Sequence, residues 1–160
     1  MIAHWDDLEA THEAEGTIEF DCYDLGEAAG MRSVGVTRAR VRPGKQSSLV
    51  HVEVAEEEIF VVLGGDGALE LTPSPKALDD GAQPETHPVR AGHVISRLPG
   101  TRIAHAPRAG PNGLTVLAYG TRDPNDITYY PRSNKIFFRG VGLIARVDHL
   151  VYEAGEESTV

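Results

Sequence analysis

His51 and Glu53 stand two positions apart in the segment Leu49-Val50-His51-Val52-Glu53-Val54. On an extended strand alternate side chains share a face, so the imidazole and the carboxylate lie together while Val50, Val52 and Val54 face the other way. A turn through Ala55-Glu56-Glu57 leads into a second extended segment that begins near Glu58. If the two segments pair as a hairpin, Glu58 returns to the face of His51 and Glu53. One imidazole and two carboxylates directed at one point form a nitrogen and oxygen donor set suited to a divalent metal. A half-exposed sheet produces the same alternation, and three consecutive glutamates also describe a solvated turn, so both readings stand on these residues alone.

The elements that must position these side chains are short and extended. Seventeen glycines and ten prolines interrupt the 160 residues at close intervals. Between them, 33–41, 49–54, 58–63, 68–72, 88–90, 94–98, 114–119, 127–130, 136–138 and 143–147 are rich in Val, Ile, Leu or aromatics and read as strands. Turn signals separate them, notably Pro43-Gly44, Gly64-Gly65-Asp66-Gly67 and Pro99-Gly100. Many short strands at this spacing predict an all-β antiparallel sandwich or barrel. Only 6–14 and 25–29 suggest a turn or two of helix, and 76–85 (KALDDGAQPE) reads as a surface loop.

Composition narrows the function. Twenty-four acidic against fifteen basic residues give a formal charge of −9. Polyanion binding relies on basic groups displacing counterions, so this balance argues against nucleic acid and against an anionic membrane surface. A small anionic ligand needs only one or two placed arginines and stays admissible. No apolar run is long enough to cross a bilayer as a helix, and the polar start MIAHWDDLEATHEAEG lacks a secretory pattern. With Cys22 as the single cysteine, no internal disulfide can form, and the expected location is cytoplasmic.

The wider spacing resembles the cupin superfamily. The segment 44–65 (GKQSSLVHVEVAEEEIFVVLGG) is similar to the first cupin motif, in which a glycine precedes His-x-His, a glutamate follows after three or four residues, and a further glycine after six more. His51 takes the first histidine position and Glu58 the glutamate position. Glu53 stands where the second histidine would be, which is a departure that still supplies a ligand atom. The segment 92–105 (GHVISRLPGTRIAH) resembles the second motif, with Leu98 in place of its first proline and Ile103 where a strict spacing would put the ligand. His105, the imidazole that follows the Pro99-Gly100 turn, becomes the fourth ligand. The resemblance covers about residues 33–120. The stretch LTVLAYGTRDPND with YYPRSNK is further similar to the ends of small bacterial cupins labelled sugar-phosphate-isomerase-like.

The resemblance implies a single cupin domain over 1–160, a double-stranded β-helix (jelly-roll barrel) with its core at about 33–120. An N-terminal arm (1–32) precedes the core and a C-terminal extension (121–160) follows it. It also implies a divalent metal, Mn, Fe or Zn, on His51, Glu53, Glu58 and His105. Glu53 adds an oxygen donor and a negative charge, favouring the harder ions. Fold does not fix activity. The expected function is a metal-dependent enzyme of isomerase or dioxygenase type acting on a small polar metabolite. A non-catalytic sugar- or acid-binding or sensor cupin, and a cupin with a decayed site, stand beside it. A homodimer is expected, because the apolar terminal strands need cover.

Other residues have a structural and a functional reading each. Arg38, Arg40 and Arg42 share a strand face, either steering an anion or forming a solvated stripe paired with acidic neighbours. Arg97 and Arg102 flank the second motif, and either one could reach the pocket mouth. Tyr119, Tyr129 and Tyr130 read as core or interface aromatics, His87 and His93 as turn residues, and Trp5 as an anchor for the amino-terminal arm. The acidic end at 155–160 reads as solvated.

Overall fold

The computed structural model describes residues 1–148, and the acidic end lies outside the described residues. The chain begins with a short 3-10 turn, Trp5–Asp7, and a hairpin of β1 (Thr11–Glu15) and β2 (Ile18–Asp24). A helical turn α1 (Leu25–Ala28) follows, then β3 (Val34–Val41), β4 (Val52–Glu53) and the long β5 (Glu58–Pro73). Next come α2 (Pro75–Asp79), β6 (Glu85–Arg90), β7 (Val94–Arg97) and the long β8 (Ile103–Thr121). The chain closes with β9 (Ile127–Tyr130), β10 (Lys135–Phe138) and β11 (Leu143–Arg146), with a 3-10 turn, Arg139–Val141, between the last two.

Among the described residues every ladder between these strands is antiparallel, and Ile18 of β2 adds an isolated parallel bridge to Gln46. One sheet runs β1-β2-β3-β8-β5-β6 with β7 also on β5, and a second runs β11-β10-β9-β4. This is the all-β architecture that short, turn-punctuated strands predict. The inward side chains of the large sheet, among them Phe20, Val41, Val62, Leu69, Leu114 and Val116, form the main core. A smaller core of Val50, Ala104 and Ala106 lies where the two sheets meet.

Several elements differ from their sequence expectation. The Gly64-Gly65-Asp66-Gly67 run does not end a strand. β5 continues through it as one element of 16 residues, with register shifts against β8 between Val62 and Gly64 and between Gly65 and Gly67. Glycines that take a positive φ serve a bulge as well as a turn, and here the 19-residue partner β8 keeps the ladder in step. Residues 6–14 hold no α-helix. Thr-His-Glu-Ala-Glu at β1 has no apolar helical face, all five residues are exposed, and the backbone pairs instead with β2. The segment 76–85 is not wholly loop, because Ser74 accepts a hydrogen bond from Ala77 N and Pro75 opens α2. The strand expected over 49–54 shortens to β4, which pairs with β9 and not as a hairpin with β5, while His51 forms an isolated bridge to His105.

A partly buried ion-pair cluster ties β5 to β8 and to the turn after β9. Glu70 accepts from Arg108 Nε at 2.5 Å and Arg132 Nη2 at 2.9 Å, with Gln46 Nε2 at 3.3 Å. Burial raises the Glu70 carboxyl, but the two guanidinium groups outweigh it and hold the group below the usual carboxylate range. A depressed folded-state pKa stabilises above the ordinary glutamate value and is lost as pH falls through the lowered one. Because both arginine partners are open to solvent and screened, Glu70→Gln is expected to cost no more than about 1 kcal/mol at neutral pH. In urea titrations the gap between variant and wild type should close in strong acid. A gap that persists there would show that packing, not charge, is responsible.

Candidate metal centre

The four side chains singled out in the sequence come together. His51, Glu53, Glu58 and His105 each offer one ligand atom, and these atoms all lie within 4.8 Å of one another. The backbone sets this up. His51 N donates to His105 O at 3.1 Å, and His105 N donates to His51 O at 2.7 Å. Directly opposed residues of an antiparallel pair present their side chains on one face, so the two rings meet with centroids 4.9 Å apart. Alternation then carries Glu53 to the same side, and β5 starts with Glu58 there. Ala104 and Ala106, fully buried on the opposite face, hold β8 in that orientation.

The donor set is chemically prepared. His51 Nδ1 lies 2.7 Å from the Leu49 carbonyl oxygen. A carbonyl only accepts, so Nδ1 carries the proton and donates, which leaves Nε2 to face the centre. Nε2 lies 3.7 Å from Glu53 Oε1, and His105 Nε2 is 2.9 Å from Glu58 Oε2. Burial depresses His51, but Glu53, the Leu49 carbonyl and Glu58 outweigh it and raise its pKa. Burial, with His51 and Arg97 adding to it, pushes His105 down to about 3, so its ring is neutral at physiological pH. Burial also raises Glu58, against the pull of His51 and Glu53. Two imidazoles and two carboxylates, largely buried and each reachable from one point, fit a divalent ion.

The turn between the two glutamates is held from outside, by residues the motif reading did not include. Asp126, 1 % exposed, accepts from Val54 N at 3.1 Å and Ala55 N at 2.8 Å. Glu56, 5 % exposed, receives both terminal nitrogens of Arg139 and Asp123 N. Of the three glutamates, only Glu57 matches the expectation of an exposed turn. The Tyr130 ring lies 6.0 Å from that of His51, and burial with the Glu53 charge raises its hydroxyl pKa. Beyond Glu53 and Glu58 is a cavity of about 90 Å³ that Thr37, Ala118 and Arg139 also line. Two larger clefts, of about 570 and 500 Å³, lie against the β1–β2 hairpin and the Trp5 segment and contain none of the four residues.

The remaining residues divide clearly. Arg38 and Arg42 meet Asp6 and Asp21, and Arg40 donates to the Tyr23 hydroxyl, so the stripe is paired on the sheet's outer face. Trp5 anchors the arm by stacking on Arg38, 4.7 Å from its ring centroid. Arg102 turns away to Asp80 at 3.6 Å, whereas Arg97 stays at the centre. His93 Nδ1 accepts from Arg90 N at 2.9 Å in the turn before β7.

No protein-family model matches the sequence, and no curated protein matches it. Solved structures do. A candidate sugar phosphate isomerase from Acidithiobacillus ferrooxidans is 25% identical, with 89% of this chain and 86% of that one covered and a TM-score of 0.76. A sugar phosphate isomerase of the cupin superfamily from Silicibacter pomeroyi is also 25% identical, with 96% and 98% covered and a TM-score of 0.72. A candidate oxalate decarboxylase from Thermotoga maritima is 20% identical over 76% of this chain and 98% of that one, with a TM-score of 0.57, and bears on the fold alone. These neighbours are cupin-superfamily proteins, and this chain has the cupin jelly-roll fold. Within it lies a group of four histidine and glutamate side chains able to hold a metal ion.

Proposed function

We propose that the chain is a metal-dependent cupin enzyme that acts on a small polar metabolite by isomerisation or dioxygenation, with His51, Glu53, Glu58 and His105 as ligands. The convergence of their four donor atoms within 4.8 Å carries this reading. The carboxylate content favours Mn or Fe(II), with Zn also suited to two imidazoles. A bound divalent ion supplies a Lewis acid for a substrate oxygen. The protein's own residues supply the surroundings. The Leu49 carbonyl orients His51, the packed sheets limit water, and Tyr130, held in its protonated form, is a candidate proton donor. The cavity beyond the glutamates admits a group of only a few heavy atoms, so a sugar would present one end to the centre. The sugar phosphate isomerase neighbours favour isomerisation.

One observation favours a second reading. Glu58 pairs with His105 at 2.9 Å and Glu53 with His51 at 3.7 Å, so the four side chains also satisfy one another without an ion. The same arrangement would serve a non-catalytic sugar- or acid-binding cupin, or one whose metal site has decayed.

Metal analysis separates these readings. Protein purified without chelator, or loaded with Mn, Fe(II) or Zn, is expected to hold about one ion per chain. His51→Ala should weaken that affinity at least about 100-fold, since losing a ligand costs more than losing its outer support. Wild type that takes up none of the three ions would defeat the ligand set. Turnover of sugar phosphates or small organic acids by loaded protein then marks an enzyme, and thermal stabilisation without turnover marks a binder.

A further inference from the structure

Arg97 is the last residue of β7 and stands opposite Glu58, the first residue of β5. Along β7 the exposed residues are Val94 and Ser96, while Ile95 and Arg97 turn inward. The Arg97 side chain borders the same narrow gap as Glu53, Glu56 and His105, which is closed to a water molecule as it stands, so an anion enters only as these side chains part. The Arg97 charge is near enough to help depress His105 and to be felt by Glu58.

The guanidinium is only partly satisfied there. Nη2 donates to the Ile103 carbonyl at 2.9 Å and reaches Thr101 Oγ1 at 3.5 Å. Nε is buried with no hydrogen-bond partner. Among the described residues Arg97 enters no ion pair, whereas Arg102, Arg108 and Arg139 each have a carboxylate. An inward arginine with an idle donor, and with Glu58 acting on it only from beyond ion-pair distance, carries a desolvation cost that the apo chain recovers only in part.

Charge at the centre gives that cost a purpose. The two carboxylates cancel a divalent ion, and neutral imidazoles add nothing. Beside them the Glu56–Asp126–Arg139 cluster is net negative and Arg122 adds one positive charge, so Arg97 is the further positive charge, bordering His105, that can receive one anionic group. The planar donor fork of arginine matches carboxylate and phosphate oxygens.

We propose that Arg97 is the anion-binding residue of this centre, receiving a carboxylate or phosphate group of the substrate beside the four ligand side chains. This deepens the metal-enzyme reading and rests on it. It also accounts for how a chain of net charge −9 admits an anion to a pocket lined by glutamates.

The test titrates Mn(II)-loaded protein with glycolate, inorganic phosphate and uncharged ethylene glycol by calorimetry. Mn(II) affinity is followed separately through the paramagnetic resonance of the free ion. Wild type is expected to bind one of the anions at least about tenfold more tightly than ethylene glycol, and the preferred anion identifies the substrate group. Arg97→Gln should weaken anion binding about 10–100-fold while changing Mn(II) affinity by less than about threefold. Arg97→Lys should recover part of the loss. Arg97→Met preserves the packing of the aliphatic stem and takes the place of Arg97→Gln if that variant does not fold. Equal anion affinity in wild type and variant, or no anion binding by wild type, overturns the proposal. If wild type takes up no Mn(II), the metal reading fails on its own. The anion titration is then read by NMR on the metal-free chain, where shifts lost in Arg97→Gln support the assignment, and unchanged or absent shifts overturn it.

Discussion

Arg139→Ala is expected to lower folding stability by about 3 kcal/mol, a large share of what a domain of this size has in reserve. Arg139 gives both terminal nitrogens to Glu56 and places Nη2 3.8 Å from Asp126 Oδ2, and it also donates to the Asp123 carbonyl at 3.1 Å. Glu56 and Asp126 are 5 % and 1 % exposed. Removing the guanidinium leaves two buried carboxylates facing one another with no cation between them. The figure is placed at the low end of the range for broken buried pairs, because the arginine itself is 27% exposed and part of its field is screened. The loss should extend to the centre, since Glu56 and Asp126 hold the turn that carries Glu53 into Glu58. Metal affinity is expected to fall with stability. Adding Glu56→Gln to Arg139→Ala removes one stranded charge and should recover part of the loss. Urea denaturation of the three proteins checks this, and a cost below about 1 kcal/mol for Arg139→Ala would show that water reaches these carboxylates.

The second large effect belongs to Gly65, which holds φ at +77° in the bulge of β5. A Cβ there would lie 2.1 Å from the Gly113 carbonyl oxygen, a backbone atom that cannot move without displacing β8. Gly44 is a natural control, with φ at +73° and nothing within 4 Å of its would-be Cβ. Gly44→Ala should therefore cost only the left-handed penalty of about 1–2 kcal/mol. Gly65→Ala carries that penalty and the clash, and is expected to exceed about 3 kcal/mol, or roughly 10 °C in melting temperature. Scanning calorimetry of the two variants isolates the clash. Equal melting temperatures would mean that β5 and β8 separate at the bulge without strain.

How much of this was legible in the sequence follows the range of the interactions. His51, Glu53 and Glu58 fall within eight positions, so strand alternation and a short connection bring them together, although β4 and β5 lie in different sheets and do not pair as the expected hairpin. His105 needed the motif spacing, because nothing local says that residue 105 pairs with residue 51. Arg139 was invisible for the same reason, since its partner Glu56 is 83 positions away and no local pattern links them. Arg97 and Arg102 looked equivalent beside the second motif. Arg97 lies on the inward face of β7, fixed once that strand takes its register on β5, whereas Arg102 sits in the turn before β8 with φ at +62°. The Gly64–Gly67 run was recognisable as a departure from regular strand, but its identity as a bulge rests on the long partner strand. Ser74 and Pro75, by contrast, carried a local helix-start signal that the loop reading of 76–85 passed over.

The orientation of His51 comes from a main-chain acceptor, the carbonyl of Leu49, and this bears on how the centre tolerates sequence change. A carboxylate in that role could be lost through one substitution, and the ring would lose its fixed tautomer with it. A peptide oxygen stays present whatever side chain residue 49 carries, and Leu49, 42% exposed, has few packing obligations of its own. Position 49 is thus free to drift, and only proline there, which would remove an N–H and constrain the local path, or a shift of the chain itself, would disturb the ring. The geometry of this ligand is inherited with the course of the backbone, so it can persist through divergence that alters every side chain around it.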